Sequence, residues 1–263
     1  MQNSMIYLYC LAISRTEPGY WLEMGRLKSF KVGDFYVIVK NIPETDFSEE
    51  NLRRNFSDKL WVKTNVQDHI AILKKIMEHH EVLPFKFGTV FNDEADLKTY
   101  IASHSTTLSR NFYALAGREE WRIQVFCNRK ALRRHIDELS DLAAAMEKEI
   151  MASSPGKAHL LIRNKTGLIE SEMDRICKNY SQEYLDEFNR LSDLYSLNNL
   201  LPKEYTERED NMILNANFLV HKNKHNMFQE TLETSRKKGV NFGFFLEISG
   251  PDPPLSFISQ VKK

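Results

Sequence analysis

Apolar positions follow two rhythms along this chain. Met5-Ile6-Tyr7-Leu8-Tyr9-Cys10-Leu11-Ala12-Ile13 is a continuous apolar run, the pattern of a central strand buried on both faces. Phe35-Tyr36-Val37-Ile38-Val39 repeats it. Gly19, Gly25 and Gly33 punctuate the stretch between, where a further strand is expected. Asp46 or Ser48 is placed to cap a helix that opens on Glu49 and Glu50, acids suited to the positive end of the helix dipole. Val66, Ile70, Leu73 and Met77 then step by four, three and four. They mark one helix face that continues to Glu81 and is stopped by Pro84. Phe85 to Phe91 reads as a strand. Asp93 to about Ala116 reads as an amphipathic helix carried by Leu97, Ile101, Leu108, Phe112 and Leu115.

After Gly117-Arg118-Glu119-Glu120 the pattern starts again with a strand, Trp121 to Cys127. Leu132, Ile136, Leu139, Ala143, Met146 and Ile150 predict one long helix. Ser153-Ser154-Pro155-Gly156 interrupts it, with Ser154 as N-cap and Pro155 at the first helical position. A second helix is predicted to about Asn198 on Ile169, Met173, Ile176, Tyr180, Tyr184, Phe188, Leu191 and Tyr195. At 1.5 Å per residue it would reach roughly 60 Å. The pair should pack antiparallel as a coiled-coil-like hairpin with a projecting end. Pro202 to Asn211 is a charged loop, Met212 to Val220 a strand, His225 to Lys238 a helix and Val240 to Ile248 a last strand. The expected fold is α+β in two domains. Residues 1–117 form a ferredoxin-like domain, and residues 118–263 form an α+β domain with the helical hairpin and a C-terminal proline strap.

The composition is that of an ordinary globular protein, 42% hydrophobic and 27% charged over 263 residues. Lys plus Arg and Asp plus Glu number 36 each, for a net charge of zero. That argues against bulk nucleic acid or an anionic membrane as main partner, and it leaves little charge repulsion to oppose self-association. Three widely spaced cysteines, Cys10, Cys127 and Cys177, read as reduced thiols in a cytoplasmic protein. The apolar run Met5 to Ile13 is too short to span a membrane and lacks a basic start and a cleavage site.

No chemistry of an enzyme is legible. His79 and His80 point to different helix faces, and His69 and His80 are separated by about 16 Å of helix. His221 and His225 flank a turn without a carboxylate or thiolate nearby. No metal and no cofactor are expected, and no nucleophile or phosphate-loop pattern occurs. Phe85-Lys86-Phe87-Gly88-Thr89-Val90-Phe91 partly matches the aromatic strand of an RNA-recognition motif, whose rings stack on bases. Lys86 and Thr89 depart from that pattern, so a single-stranded RNA-binding module using Phe87 and Tyr7 is the alternative reading, and a packed core strand the favoured one.

The densest signal is Gly250-Pro251-Asp252-Pro253-Pro254-Leu255-Ser256-Phe257. Three prolines in four positions predict a stiff, extended strap, laid over its own domain or over a partner. This segment resembles the C-terminal signature of the gas vesicle protein F/L family (GvpF/GvpL), which typically reads Gly-Pro-Trp-Pro-Pro-Tyr-Ser-Phe. Val82 to Phe91 is similar to the family's N-terminal-domain signature, and Met212 to Val220 to its late strand. Asp252 and Leu255 stand where the family usually carries Trp and Tyr. The resemblance implies an accessory protein of gas vesicle assembly in the cytoplasm, without catalytic residues. It would bind the small hydrophobic shell protein or other accessory proteins, or lie on the vesicle wall. Under this reading the candidate partner-binding residues are Phe85, Phe87, Gly88, Gly250, Pro251, Pro253, Pro254 and Phe257.

Overall fold

The computed structural model describes residues 4–13 and 27–258. The described residues fall into two compact units, those within 1–120 together with 251–258, and those within Trp121–Gly250. The sequence had suggested a boundary at residue 117, with everything after it in the second domain. The chain instead leaves the first unit inside one strand and returns to it inside another.

In the first unit, β1 (Ser4–Ala12), β2 (Leu27–Val32), β3 (Phe35–Pro43) and β4 (Val82–Pro84) form a sheet in the order β2-β3-β1-β4, and β5 (Val90–Phe91) also pairs with β1. The strand expected before Gly33 is β2, joined to β3 by a tight turn. β1 is antiparallel to β3, β4 and β5, with a register shift between Leu8 and Cys10. Such a bulge turns successive side chains to one face. Tyr9 and Cys10 accordingly join the same apolar cluster, with Tyr7, Ile38, Leu73 and Ile76.

The helices are shorter than their apolar stripes. The helix expected from Glu49 breaks into α2 (Glu49–Asn55) and α3 (Lys59–Met77), preceded by a short α1 (Glu44–Phe47). Ser48 caps α2, and Asp58 caps α3 by accepting from the N–H groups of Leu60 and Trp61. The helix expected from Asp93 divides at His104 into α4 (Glu94–Ser103) and α5 (Ser105–Leu115), yet Leu97, Ile101, Leu108, Phe112 and Leu115 are all buried. A periodic stripe survives a one-residue break because the flanking turns keep their phase.

In the second unit, β6 (Arg118–Cys127), β7 (Leu194–Leu197), β8 (Asn211–His221) and β9 (Phe244–Asp252) form a sheet in the order β7-β8-β6-β9. Leu132 to Ile150 is three helices: α6 (Arg129–Arg134), α7 (Ile136–Leu139) and α8 (Asp141–Ala152). Asn128 and Ser140 supply caps at the N–H groups of Ala131 and Ala143, and such side-chain acceptors compete with continued helix. α9 (Pro155–Asn189) has 35 residues and runs antiparallel to α8 as the expected hairpin. It stops nine residues early, because Leu194–Leu197 pairs with Ala216–Leu219 as a strand. Its second half is held by Ile169, Met173, Ile176, Tyr184 and Phe188, whereas Leu160 and Ile162 near its start are exposed. α10 (Lys203–Thr206) and α11 (His225–Lys237) complete the set, with single turns at Lys222–Lys224 and Val240–Phe242. The last strand therefore begins at Phe244, not Val240, and runs to Asp252. No helix among the described residues is long and apolar enough to cross a membrane.

Candidate functional site

Phe85 to Phe91 is not one strand. Pro84 ends β4 because it has no N–H to continue the ladder. The chain stays on β1 through two bonds, Phe85 N–H to Tyr9 O at 2.8 Å and Leu8 N–H to Thr89 O at 3.0 Å. Between them Lys86 to Thr89 makes a turn closed by Thr89 N–H to Lys86 O at 3.2 Å, with Gly88 at φ +81°. Glycine occupies that left-handed region without a Cβ penalty.

Two buried side chains pin this turn. The Tyr7 hydroxyl accepts from the Gly88 N–H at 3.2 Å and lies 2.9 Å from His69 Nδ1. His69 Nε2 lies 3.0 Å from the Phe85 carbonyl, which only accepts. Nε2 therefore carries the proton, and Nδ1 accepts from Tyr7. Burial holds the imidazole neutral, with its pKa lowered to about 4, and pushes the Tyr7 phenol upward. His69 was the one residue here that the helical stripe missed. It sits one position before Ile70, and a histidine on an apolar face next to strand aromatics was the available sign.

Phe87 closes an aromatic cluster, with ring centroids 5.9 Å from Trp61, 6.0 Å from His69, 6.1 Å from Phe56 and 6.2 Å from Tyr7. Tyr7 is 3% exposed. The two rings that base stacking would need are thus packed on other rings. Phe85 is half-buried on the other side of the turn. A cavity of about 470 Å³ opens beside Phe87 and His69, and another of about 230 Å³ beside Phe85.

The proline strap is extended only to Asp252. Leu255 N–H then bonds Pro253 O at 2.7 Å and Phe257 N–H bonds Pro254 O at 3.2 Å, so the chain curls. Proline presets φ for such turns as readily as for extended chain. The buried Glu120 carboxylate accepts from Ser256 twice, from N–H at 2.9 Å and from Oγ at 2.6 Å. Asp252 forms an ion pair with Lys74 at 2.7 Å, a polar contact at the position where the resembling family usually has Trp. Pro253, Pro254 and Phe257 are buried, with Phe257 at 0% exposure, whereas Gly250 and Pro251 are exposed. A partner reaching the buried three would have to lift the strap. The structure brings Phe85, Phe87 and Gly88 together; Gly250 and Pro251 lie at the strap's open start.

Among the described residues no group of three or more His, Cys, Asp or Glu is placed to hold a metal. A run of exposed apolar residues lies elsewhere, from edge strand β7 through α10. Leu194, Tyr195, Leu197, Leu200, Leu201 and Tyr205 are each 39–70% exposed. Nothing in the helical reading of this stretch pointed to it.

Comparison with known proteins agrees with this architecture. The crystal structure of the gas vesicle protein GvpF from Anabaena sp. PCC7120 superposes with a TM-score of 0.67, at 19% identity over 97% of this chain and 98% of that one. GvpF from Microcystis aeruginosa gives 0.63 at 18% identity, with the same coverage. Gas vesicle protein L of Streptomyces sp. (strain CB03234) is 22% identical over 225 residues, 86% of this chain and 80% of that protein. The model of the gas vesicle synthesis protein GvpL/GvpF family matches residues 5–259, nearly the whole chain, and the chain belongs to that family.

Proposed function

We propose that this protein serves gas vesicle formation in the cytoplasm as a non-catalytic accessory, covering apolar surface of the shell protein before or as it enters the wall. Family membership supports a gas vesicle role and association with vesicle components. The contact is the edge strand β7, and its geometry carries the reading. β7 ends its sheet, and it pairs only with β8 among the described residues. Asn198 N–H bonds Asn215 O at 2.8 Å. Antiparallel pairs alternate, so Ser196 and Leu194 also face β8, while the main-chain groups of Tyr195 and Leu197 face the open edge. Edge strands are ordinarily guarded by charge, proline or a bulge. β7 is short, at four residues, but Leu194-Tyr195-Ser196-Leu197 carries neither charge nor proline, and it suits the addition of an extended apolar segment.

The eight residues named from the sequence take two parts in this proposal. Gly250 and Pro251 offer a second exposed contact. Phe85, Phe87, Gly88, Pro253, Pro254 and Phe257 shape the first unit, to which Pro251 belongs.

The test is co-expression with the shell protein and recovery on the tagged chain, with RNase and high salt in the wash. Leu197→Lys should reduce recovered shell protein at least tenfold without moving the thermal midpoint. Undiminished recovery by the folded variant would exclude β7 as the contact. RNase-sensitive nucleic acid in place of shell protein would favour the RNA reading.

A further inference from the structure

The cavity of about 230 Å³ behind Phe85 is walled by Leu83, Pro84, Phe85 and Leu108. Half-buried Thr89, Tyr100 and Ile258 complete the lining with Lys86, and the buried polar side chain among them is Asn111, on α5. Asn111 is 2% exposed, and its Oδ1 has no hydrogen-bond partner among the described residues. A buried carbonyl left unpaired is costly, and in a native protein it calls for a missing water or ligand donor. Lys86 is the one charged residue in the lining, and it is exposed. With no carboxylate among the described lining residues, a cationic ligand would meet the Lys86 charge. An anionic group near Lys86 would be favoured.

These features specify three parts of a ligand: an apolar body of side-chain size, a neutral N–H donor beside it, and a negative group at the mouth. We infer that the cavity binds the C-terminal residue of a partner polypeptide. Its apolar side chain enters between Leu83 and Leu108, its N–H donates to Asn111 Oδ1, and its carboxylate faces Lys86. The inference rests on the assembly reading only for where such a terminus comes from; the site itself is tested without any vesicle component.

N-acetyl-L-leucine carries all three parts and serves as the probe, titrated into the full ¹⁵N-labelled chain. Saturable shifts are expected at the Asn111 side-chain amide and the Phe85 and Lys86 backbone amides, with Kd about 1 mM, usual for so small a ligand. Leucinamide, cationic and without a carboxylate, should bind at least tenfold more weakly. Asn111→Leu should weaken N-acetyl-L-leucine at least tenfold while its thermal midpoint stays equal or rises, because the unpaired amide is gone. Lys86→Glu, at an exposed position where folding is not at stake, should reverse the preference between the two probes. No saturable shift, as for a cavity that takes only water, would overturn the inference. So would equal affinity in Asn111→Leu, or an unreversed preference in Lys86→Glu. Failure of β7 variants to lose shell protein leaves these outcomes untouched.

Discussion

At the residue scale the sharpest consequence belongs to His69. Its folded pKa is lowered to about 4 from 6.5 because the ring is buried and neutral between Tyr7 and the Phe85 carbonyl. Above pH 6.5 neither folded nor unfolded chain protonates it, and its contribution is fully present. As pH falls from 6.5 toward 4 the unfolded chain takes up the proton first, so stability is lost across that window. Between pH 7 and 5 the loss is about 2 kcal/mol at 1.4 kcal/mol per pKa unit. Urea midpoints at the two pH values should show it, and His69→Gln should flatten the difference; an unchanged slope in that variant would contradict the assignment. Phe257 is a packing residue by the same standard. Phe257→Ala, which empties a fully buried site, should cost about 3–5 kcal/mol. Pro251→Ala, at an exposed position, should stay within about 0.5 kcal/mol. Equal effects would mean that the strap is not seated as described.

At the element scale, caps decide where helices stop. Ser140 accepts from Ala143 N–H at 3.1 Å and donates to the buried Glu172 carboxylate at 2.5 Å. Arg175 and Ser140 hold that carboxyl below the usual range. Ser140→Ala removes both the cap and a donor to a buried charge, and should cost about 2–3 kcal/mol. The hairpin of α8 and α9 would be loosened at its base, so faster amide exchange in Asp141–Ala152 is the expected sign. Protection equal to the parent's would show that neighbouring turns suffice. The same scale explains β7. Leu191 and Tyr195 continue the α9 stripe in phase, but the helix ends at Asn189. The pairing of Tyr195 with Phe218 and Leu197 with Ala216 overrides local helical spacing.

At the scale of the whole molecule, the chain's end belongs to the unit that its beginning builds. Truncation after Gly250 removes Phe257 and both Ser256 bonds to Glu120. Hydrogen exchange should then quicken in β1 and β3 while β8 keeps its protection. Loss of protection in β8 alone would contradict that membership.

What the sequence determined by itself is periodic. The buried runs of β1, β3, β6 and β8, the faces of α5 and α9, the cap of α2 (Ser48, one of two candidates) and the helix start at Pro155 were legible because alternation and helical spacing are local. The three signature stretches likewise carried the family without a structure. Only tertiary structure decided the turn at Gly88, the breaks at His104, His135 and Ser140, the strand at Leu194–Leu197 and the curl of the strap. The turn, the strand and the curl each depend on a partner far along the chain: Tyr7 for Gly88, Phe218 for Tyr195, Glu120 for Ser256. A bond or strand pairing to a residue 23 to 136 positions away leaves no period in the sequence, and it is these contacts that shape the candidate sites.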